Sequence, residues 1–371
     1  MLKMRNLPEK ALILALSSSL AGCATATLSD DAEIQDAKAL YGCNVINVYN
    51  AGEYIGEDVL ANFEKLYTAK VNYDTFESNE IMYTKLLGGS AYDIIVPSDY
   101  MIERMISEDM LQPLDKSAIP NLANLDPEVV EMQKSYDPDL TYAAPYFHGS
   151  VGLVYNTQIV KKETIEKEGW DILHDTDYKG QVYMYDSQRD AFMVAFKALG
   201  FSMNTDDEGE IQQAYQWLID MNKAVKPAYV TDEVIDSMAN GDMAIALMYS
   251  GDAAYVISEN SDMAYIEPNQ GTNIWQDSMV IPKNAKCSGL ANAFINYIES
   301  YDASYDNSSY VGYTSPNLQV YEDLSGEDGD YFENSAYTPR EGYAKDETFH
   351  YNEKLVQKLS DLWNKVKING E

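Results

Sequence analysis

Hydrophobic and polar positions alternate along the chain with two periods. Short apolar runs bounded by turn residues, at 45–49, 70–73 and 93–97, read as strands. Between them, apolar residues recur every three to four positions over 58–65 and 80–87, the period of a helix with one buried face. A second series places strands at 151–155, 182–185 and 244–248, with helices over 190–199 and 211–222. Helical spacing returns at 290–298 and 353–366, and the Gly/Asp-rich tract 325–330 reads as a surface loop. Strand and helix in alternation predict an α/β fold with a mostly parallel sheet, whose ligand sites lie beyond the carboxyl ends of the strands. One stretch, "NIWQDSMVIP" at 273–282, interrupts the series. Side chains two apart on an extended chain share a face, so Trp275 and Asp277 are expected side by side at the entrance of this strand.

A chain of 371 residues exceeds one simple core and suits two domains. Its start is basic at Lys3 and Arg5, then apolar over 11–16, then small before Cys23, which is the pattern of an export signal at 1–22. "LAGC" at 20–23 has the form of a bacterial lipobox. Cys23 is therefore expected to carry lipid and to anchor the chain to a bilayer, with 23–40 as a flexible leash. Cys43 and Cys287 stand outside any metal or redox spacing; they either pair or remain two small buried thiols, and the second reading is preferred. With 3 His and no CxxC or HExxH, no metal or cofactor is expected. The net charge of −34 repels nucleic acid and anionic lipid and attracts cations, although acidic surfaces also serve solubility alone.

The strand ends carry the chemistry. They read Tyr49-Asn50-Ala51-Gly52-Glu53-Tyr54, Pro97-Ser98-Asp99-Tyr100, Tyr185-Asp186-Ser187-Gln188-Arg189-Asp190, Tyr249-Ser250-Gly251-Asp252 and Trp275-Gln276-Asp277. Any one of them is an ordinary turn or helix cap, but five aromatic–carboxylate pairs together complement a ligand with apolar methylenes and positive ends, as a polyamine has. Enzyme readings have less support. "HGSVG" at 148–152 lacks the first glycine of a nucleophile elbow and precedes its strand, and no phosphate-binding glycine loop occurs. Paired carboxylates could hydrolyse glycosides, yet a binding protein fits the pattern better than an enzyme.

The runs "VYNAGEYIGEDVLANFEK", "YDTFESNEIMYTKLLGGSAYDIIVPSDYMIERM", "DSQRDAF", "MYSGDAAYV", "WQDSMVIPKNAK" and "GYTSPNL" resemble the substrate-binding proteins of bacterial spermidine/putrescine ABC importers, in collinear order from about Tyr41. The resemblance implies a type II periplasmic-binding fold: two α/β lobes, 41–146 with 276–318 and 147–275 with 319–371, joined by two crossover segments and closing on a ligand like a hinge. It also implies roles. Trp275 covers the methylene chain and Asp277 binds an amine; Glu53, Tyr54, Ser98 and Tyr100 fall on ligand positions; Asp190 holds another amine, with Thr231 and Tyr313 beside it. Tyr249 and Ala51 stand where the family has Trp, Ser187 where some members are acidic, and Tyr351 near a family Gln, so the preferred chain length stays open. The implied function is a lipid-anchored, monomeric receptor outside the membrane that passes a polyamine to permease subunits. The rivals are another small cationic ligand on the same fold and a sensor without transport.

Overall fold

The computed structural model describes residues 33–231, 233–340 and 342–370; the expected signal segment and Cys23 lie outside them. Among the described residues, ten strands form one sheet: β1 (Val45–Ala51), β2 (Lys70–Phe76), β3 (Ile94–Ile95), β4 (Leu111–Gln112), β5 (Ala143–Asn156), β6 (Val182–Tyr185), β7 (Ala228–Val230), β8 (Ile245–Tyr249), β9 (Met263–Ile266) and β10 (Ile274–Pro282). Their order is β2-β1-β3-β10-β5-β8-β6-β7, with β4 on β10 and β9 on β5. The outer strands pair in parallel, β2 and β3 on β1 at one end and β7 and β8 on β6 at the other. The middle is antiparallel, β5 on β10. Two parallel half-sheets are thus joined through two long strands, which gives two lobes and two crossovers.

β5 makes the join. Its 14 residues are almost all buried, because first one lobe and then the other covers both faces. Residues 143–150 pair with β10, whereas 151–156 pair with β8 and β9. The strand expected at 151–155 is the second half of this longer one. Between Asp277 and Ser278 the register shifts from Phe147 to Pro145, which leaves Tyr146 as the extra residue of a bulge on β5.

The expected helices form, with ends set by local caps. Ser78 Oγ accepts from Ile81 N ahead of the helix Asn79–Leu87, and Ser187 Oγ accepts from Asp190 N ahead of Gln188–Ala198. Asp207 caps the long helix Glu208–Val225, against which Glu353–Gly370 packs. The expected strand at 93–97 shrinks to Ile94–Ile95. Asp93 turns its carboxylate to Asn47 N, Lys286 N and Cys287 N at 2.8 Å each, and Pro97 has no N–H to continue the ladder. Residues 325–330 end the helix Leu318–Ser325 and turn, in line with a loop.

Two expectations need correction. The leash does not reach residue 40, because Asp36 caps a helix over Ala37–Tyr41 that packs on the helix Ser288–Ile298 and fully buries Ala37. Nor are Cys43 and Cys287 free thiols: they form a disulfide, with Cα atoms 6.2 Å apart, that ties the chain ahead of β1 to the start of that same helix. The Asp93 carboxylate ties Cys287 N to Asn47 of β1, the strand that follows Cys43, so the fold delivers the two sulfurs to each other.

The disulfide encloses a separation of 244 residues, so its loss frees much denatured-state entropy. Replacing Cys43 and Cys287 by Ser is expected to lower the unfolding free energy by roughly 2–5 kcal/mol in urea titrations. Ligand affinity should not change, since the bridge contacts none of the strand-end aromatics.

Candidate functional site

Where β1 and β8 end and β10 begins, the chain converges on the seam between the half-sheets. Trp275 and Asp277 project from β10 on the same side. Gln276, between them, points the other way, to Val129 O and the Tyr136 hydroxyl. Asp277 Oδ2 accepts from the Tyr54 hydroxyl at 2.9 Å, and the Tyr54 ring lies 5.3 Å from Tyr313, which lies 5.3 Å from Trp275. Tyr249 meets Trp275 edge-on at 6.3 Å and stacks on Tyr185 at 4.7 Å. Phe147 and Tyr146 back Tyr54 at 5.2 and 5.5 Å. The result is a continuous aromatic box.

Three carboxylates enter this box, each on phenols. Besides Asp277, Asp190 Oδ2 accepts from Tyr249 at 2.8 Å, and Asp252 accepts from both Tyr185 at 3.0 Å and Tyr313 at 2.9 Å. These bonds occupy lone pairs without bringing a positive charge. Asp277 Oδ1 is buried with no partner at all. Burial pushes the Asp277 carboxyl up to about 6 although the Ser98 and Tyr54 hydroxyls oppose it. Burial also raises Asp190, against Ser187, Tyr249 and Arg189.

Main-chain positions are fixed from below. Tyr146 Oη donates to Tyr54 O at 2.6 Å, Asn50 Nδ2 reaches the same carbonyl, and Gly56 N donates to Asn307, so the turn after β1 is held from three sides. Asn79 exchanges two bonds with Ser98, N–H to Oδ1 at 3.1 Å and Nδ2 to Oγ at 3.0 Å. Two glycines let the rings sit against backbone. A Cβ on Gly149 would stand 2.8 Å from Trp275 Cζ2 and 2.3 Å from Ser250 Oγ, and one on Gly251 would stand 2.3 Å from the Tyr313 ring. "HGSVG" does not form a catalytic group, since Ser150 Oγ bonds the Tyr265 hydroxyl and burial lowers His148 to about 4.

Of the residues expected from sequence, Tyr54, Tyr249, Trp275, Asp277, Asp190 and Tyr313 meet in this box, and Ser98 adjoins Asp277 through a β-bridge. Tyr100 is buried beside it, under the Arg189 guanidinium at 3.6 Å. Glu53 is exposed in a left-handed turn, φ 49°, at the rim. No described contact brings Thr231 or Tyr351 into the box. The Thr231 hydroxyl is exposed and donates to Glu233 at 2.7 Å, while Tyr351 lies 4.9 Å from Arg104 with its N–H on Glu103. Asp252, Tyr185 and Asp99 are site residues that the resemblance did not supply. All three stand in the strand-end runs, where alternation alone cannot say which residue of a turn faces inward. Asp99 accepts from Tyr100 N at 2.6 Å and Gln276 N at 3.3 Å, and burial, with the nearby Asp277 charge, lifts it to about 8. Among the described residues, no group of His, Cys, Asp and Glu could hold a metal ion, and no helix is long and apolar enough to cross a membrane.

Residues 58–336 match the family model described as bacterial extracellular solute-binding protein. The spermidine/putrescine-binding periplasmic protein of Salmonella typhimurium is 34% identical over 281 residues, 75% of this chain and 79% of that relative. Among solved structures, the spermidine/putrescine ABC transporter substrate-binding protein PotD of Streptococcus pneumoniae superposes with a TM-score of 0.76 at 34% identity, covering 88% of this chain and all of that one. The TpPotD lipoprotein of Treponema pallidum gives 0.74 at 26% identity, over 87% of this chain and 99% of its own. The two-lobed architecture is the type II fold of these proteins.

Two outcomes test the geometry. Gly251→Ala should displace the Tyr313 ring and lower the melting temperature by several degrees in calorimetry, because the new methyl overlaps the ring and not a flexible tip. Asp277 titrates higher when folded, about 6 against 3.8, so its ionisation favours the unfolded chain as pH rises through this window. In the absence of ligand, Asp277→Asn should therefore gain stability relative to wild type between pH 4 and pH 7, read as the difference of two urea titration series.

Proposed function

The chain belongs to the bacterial extracellular solute-binding proteins, and from that premise we propose that it captures a polyamine outside the membrane and delivers it to an ABC importer. One observation carries the reading: three acidic side chains are gathered among aromatic rings, each accepting a hydrogen bond from at least one phenol hydroxyl. An ammonium at Asp277 Oδ1 would give that buried atom its missing partner and its charge a counter-ion. Methylenes would lie on Trp275 and Tyr313, and a second ammonium would sit between Asp190 and Asp252, near the faces of Tyr249 and Tyr185. Rings add about 0.5–2 kcal/mol per ammonium, more in a desolvated slot. Ser98 and Tyr54 orient Asp277; Tyr100 and Glu53 close the rim; Thr231 and Tyr351 complete the ligand set only through movement of their segments.

The lobes divide at 146/147 and 275/276, inside β5 and β10, so closing bends the strands that carry Trp275 and Asp277. Both lobes then touch one ligand, and the closed form presents the surface that permease subunits recognise. Cys23, behind the export signal, provides a lipid anchor at the outer face of the membrane, in keeping with the Treponema relative's description as a lipoprotein. Ligand chemistry is capture without turnover. Fewer acids at Ser187 and the space at Ala51 leave the choice between di- and triamines to measurement.

In a thermal-shift panel of putrescine, cadaverine, spermidine and spermine, at least one is expected to raise the melting temperature in the manner of a ligand at 100 times its dissociation constant, about 2.7 kcal/mol. Asp277→Asn should cost roughly 2–5 kcal/mol of that ligand's binding by calorimetry. Affinity of the wild type should fall below pH 6, because protonating Asp277 competes with the cation, and this slope should vanish in the variant. No shift with any polyamine, or an unchanged affinity in Asp277→Asn, rejects the assignment.

A further inference from the structure

Beside the box, one cation of the protein crosses the seam. Arg189 starts the helix Gln188–Ala198, which packs on β6 and on Glu208–Val225, in the second half-sheet's lobe. Its guanidinium reaches the other lobe, where its Cζ lies 3.6 Å over the Tyr100 ring and its Nη2 lies 2.9 Å from Glu80 Oε1. Glu80 stands on the helix Asn79–Leu87 and Tyr100 on Asp99–Ser107, which follow β2 and β3. The Tyr100 hydroxyl also donates to Glu80, at 3.3 Å, so the three side chains form a closed ring of contacts. The Phe349 ring also lies 5.4 Å from the guanidinium. The Arg189 side chain keeps only 15% of its exposure, although it carries a full charge.

The two contacts of Arg189 with Tyr100 and Glu80 join groups from opposite sides of the seam, so opening the lobes breaks both at once. We infer that Arg189, Glu80 and Tyr100 form a latch that holds the lobes closed over the ligand, with Arg189 acting as a positioning residue for Tyr100 without touching the ligand itself. The chemistry favours this over a chance surface pair. A planar guanidinium can stack on a ring and bond a carboxylate in its own plane simultaneously, which an ammonium cannot. Neighbouring Asp190 is turned to Tyr249, leaving Arg189 directed across the seam.

A latch biases the closed state and leaves recognition alone. If it is lost, the binding-competent population falls and the apparent dissociation constant of every ligand rises by one common factor. A ligand contact behaves differently, since its loss changes one polyamine more than another. The inference rests on the polyamine reading for its probe, and the experiment keeps the two apart.

Dissociation constants of putrescine and spermidine are measured for the wild type, Arg189→Gln, Glu80→Gln and the double variant. Each single change is expected to raise both constants about tenfold, through faster dissociation, with their ratio kept within threefold. The double variant should be no weaker than about the single ones, because either change opens the same ring of contacts. Arg189→Lys, which keeps the charge and loses the planar stack, should fall between. Unchanged constants, or a ratio altered by more than threefold, overturn the latch. Glu80 is half-exposed, so Glu80→Gln carries the test if Arg189→Gln fails to fold. Should the wild type bind neither polyamine, the ligand reading fails and the latch is judged separately. Dyes on exposed Leu87→Cys and Ile159→Cys in a Cys23→Ser background then report the lobe separation of the ligand-free protein. A smaller closed population in Arg189→Gln supports the latch, and identical distributions overturn it.

Discussion

Negative charge gathered among aromatic rings and met there by phenol hydroxyls is the constraint on which this molecule is arranged. Phenol hydrogen bonds from Tyr54, Tyr185, Tyr249 and Tyr313 give Asp277, Asp252 and Asp190 partners. Hydroxyls reduce the cost of burying a carboxylate but do not remove it, as the raised titration of Asp277 and Asp190 attests. The site is therefore held at higher free energy than it would have with a cation inside. That difference is available to binding, and it explains why so many of the chain's aromatics near the seam are tyrosine and not phenylalanine: each supplies a ring face for methylenes and a hydroxyl for an acid.

The fold exists to bring these groups to one place from distant parts of the chain. Tyr54 and Asp277 are 223 residues apart, and Tyr313 and Asp252 are 61 apart. Only the crossover of β5 and β10 makes them neighbours. Under the proposed reading, placing Trp275 and Asp277 on the crossover has a mechanical sense, because the element that would bend is also the one that would grip. The register shift at Asp277 and Ser278 marks that place in the ladder. Far from it, the Cys43–Cys287 disulfide and the Asp93 carboxylate tie β1 and the chain ahead of it to the start of the helix Ser288–Ile298.

Much of this was legible in the order of residues. Strand and helix periods give the α/β alternation, and the pairing of an aromatic with an acid at five strand ends gives the character of the ligand. Trp275 and Asp277 could be placed on one face because a strand has period two, whatever its surroundings. What local pattern does not contain is the third dimension. The 14-residue β5 looks like a strand over 151–155 because its first half is interrupted by Pro145, His148 and Gly149, and only its partners reveal that it continues. Asp252 and Asp99 lie in runs where the resemblance points to neighbouring residues, since a turn offers several side chains and the inward one is decided by distant packing. The disulfide depends on a tertiary approach that spacing cannot give, and Thr231 and Tyr351 show that a position inferred by likeness can sit at a distance from the group it is thought to join.

Gly149 and Gly251 give this arrangement an unusual kind of independence. Because Trp275 and Tyr313 rest directly on main chain, with no intervening side chain, their orientation is dictated by the course of β5 and the turn after β8. Substituting the acids around them would alter which charges the slot accepts while leaving its walls in place. Selectivity and shape are thus separately adjustable, so a lineage of such receptors can drift from one cationic cargo to another by exchanging single acidic positions, without rebuilding the enclosure each time.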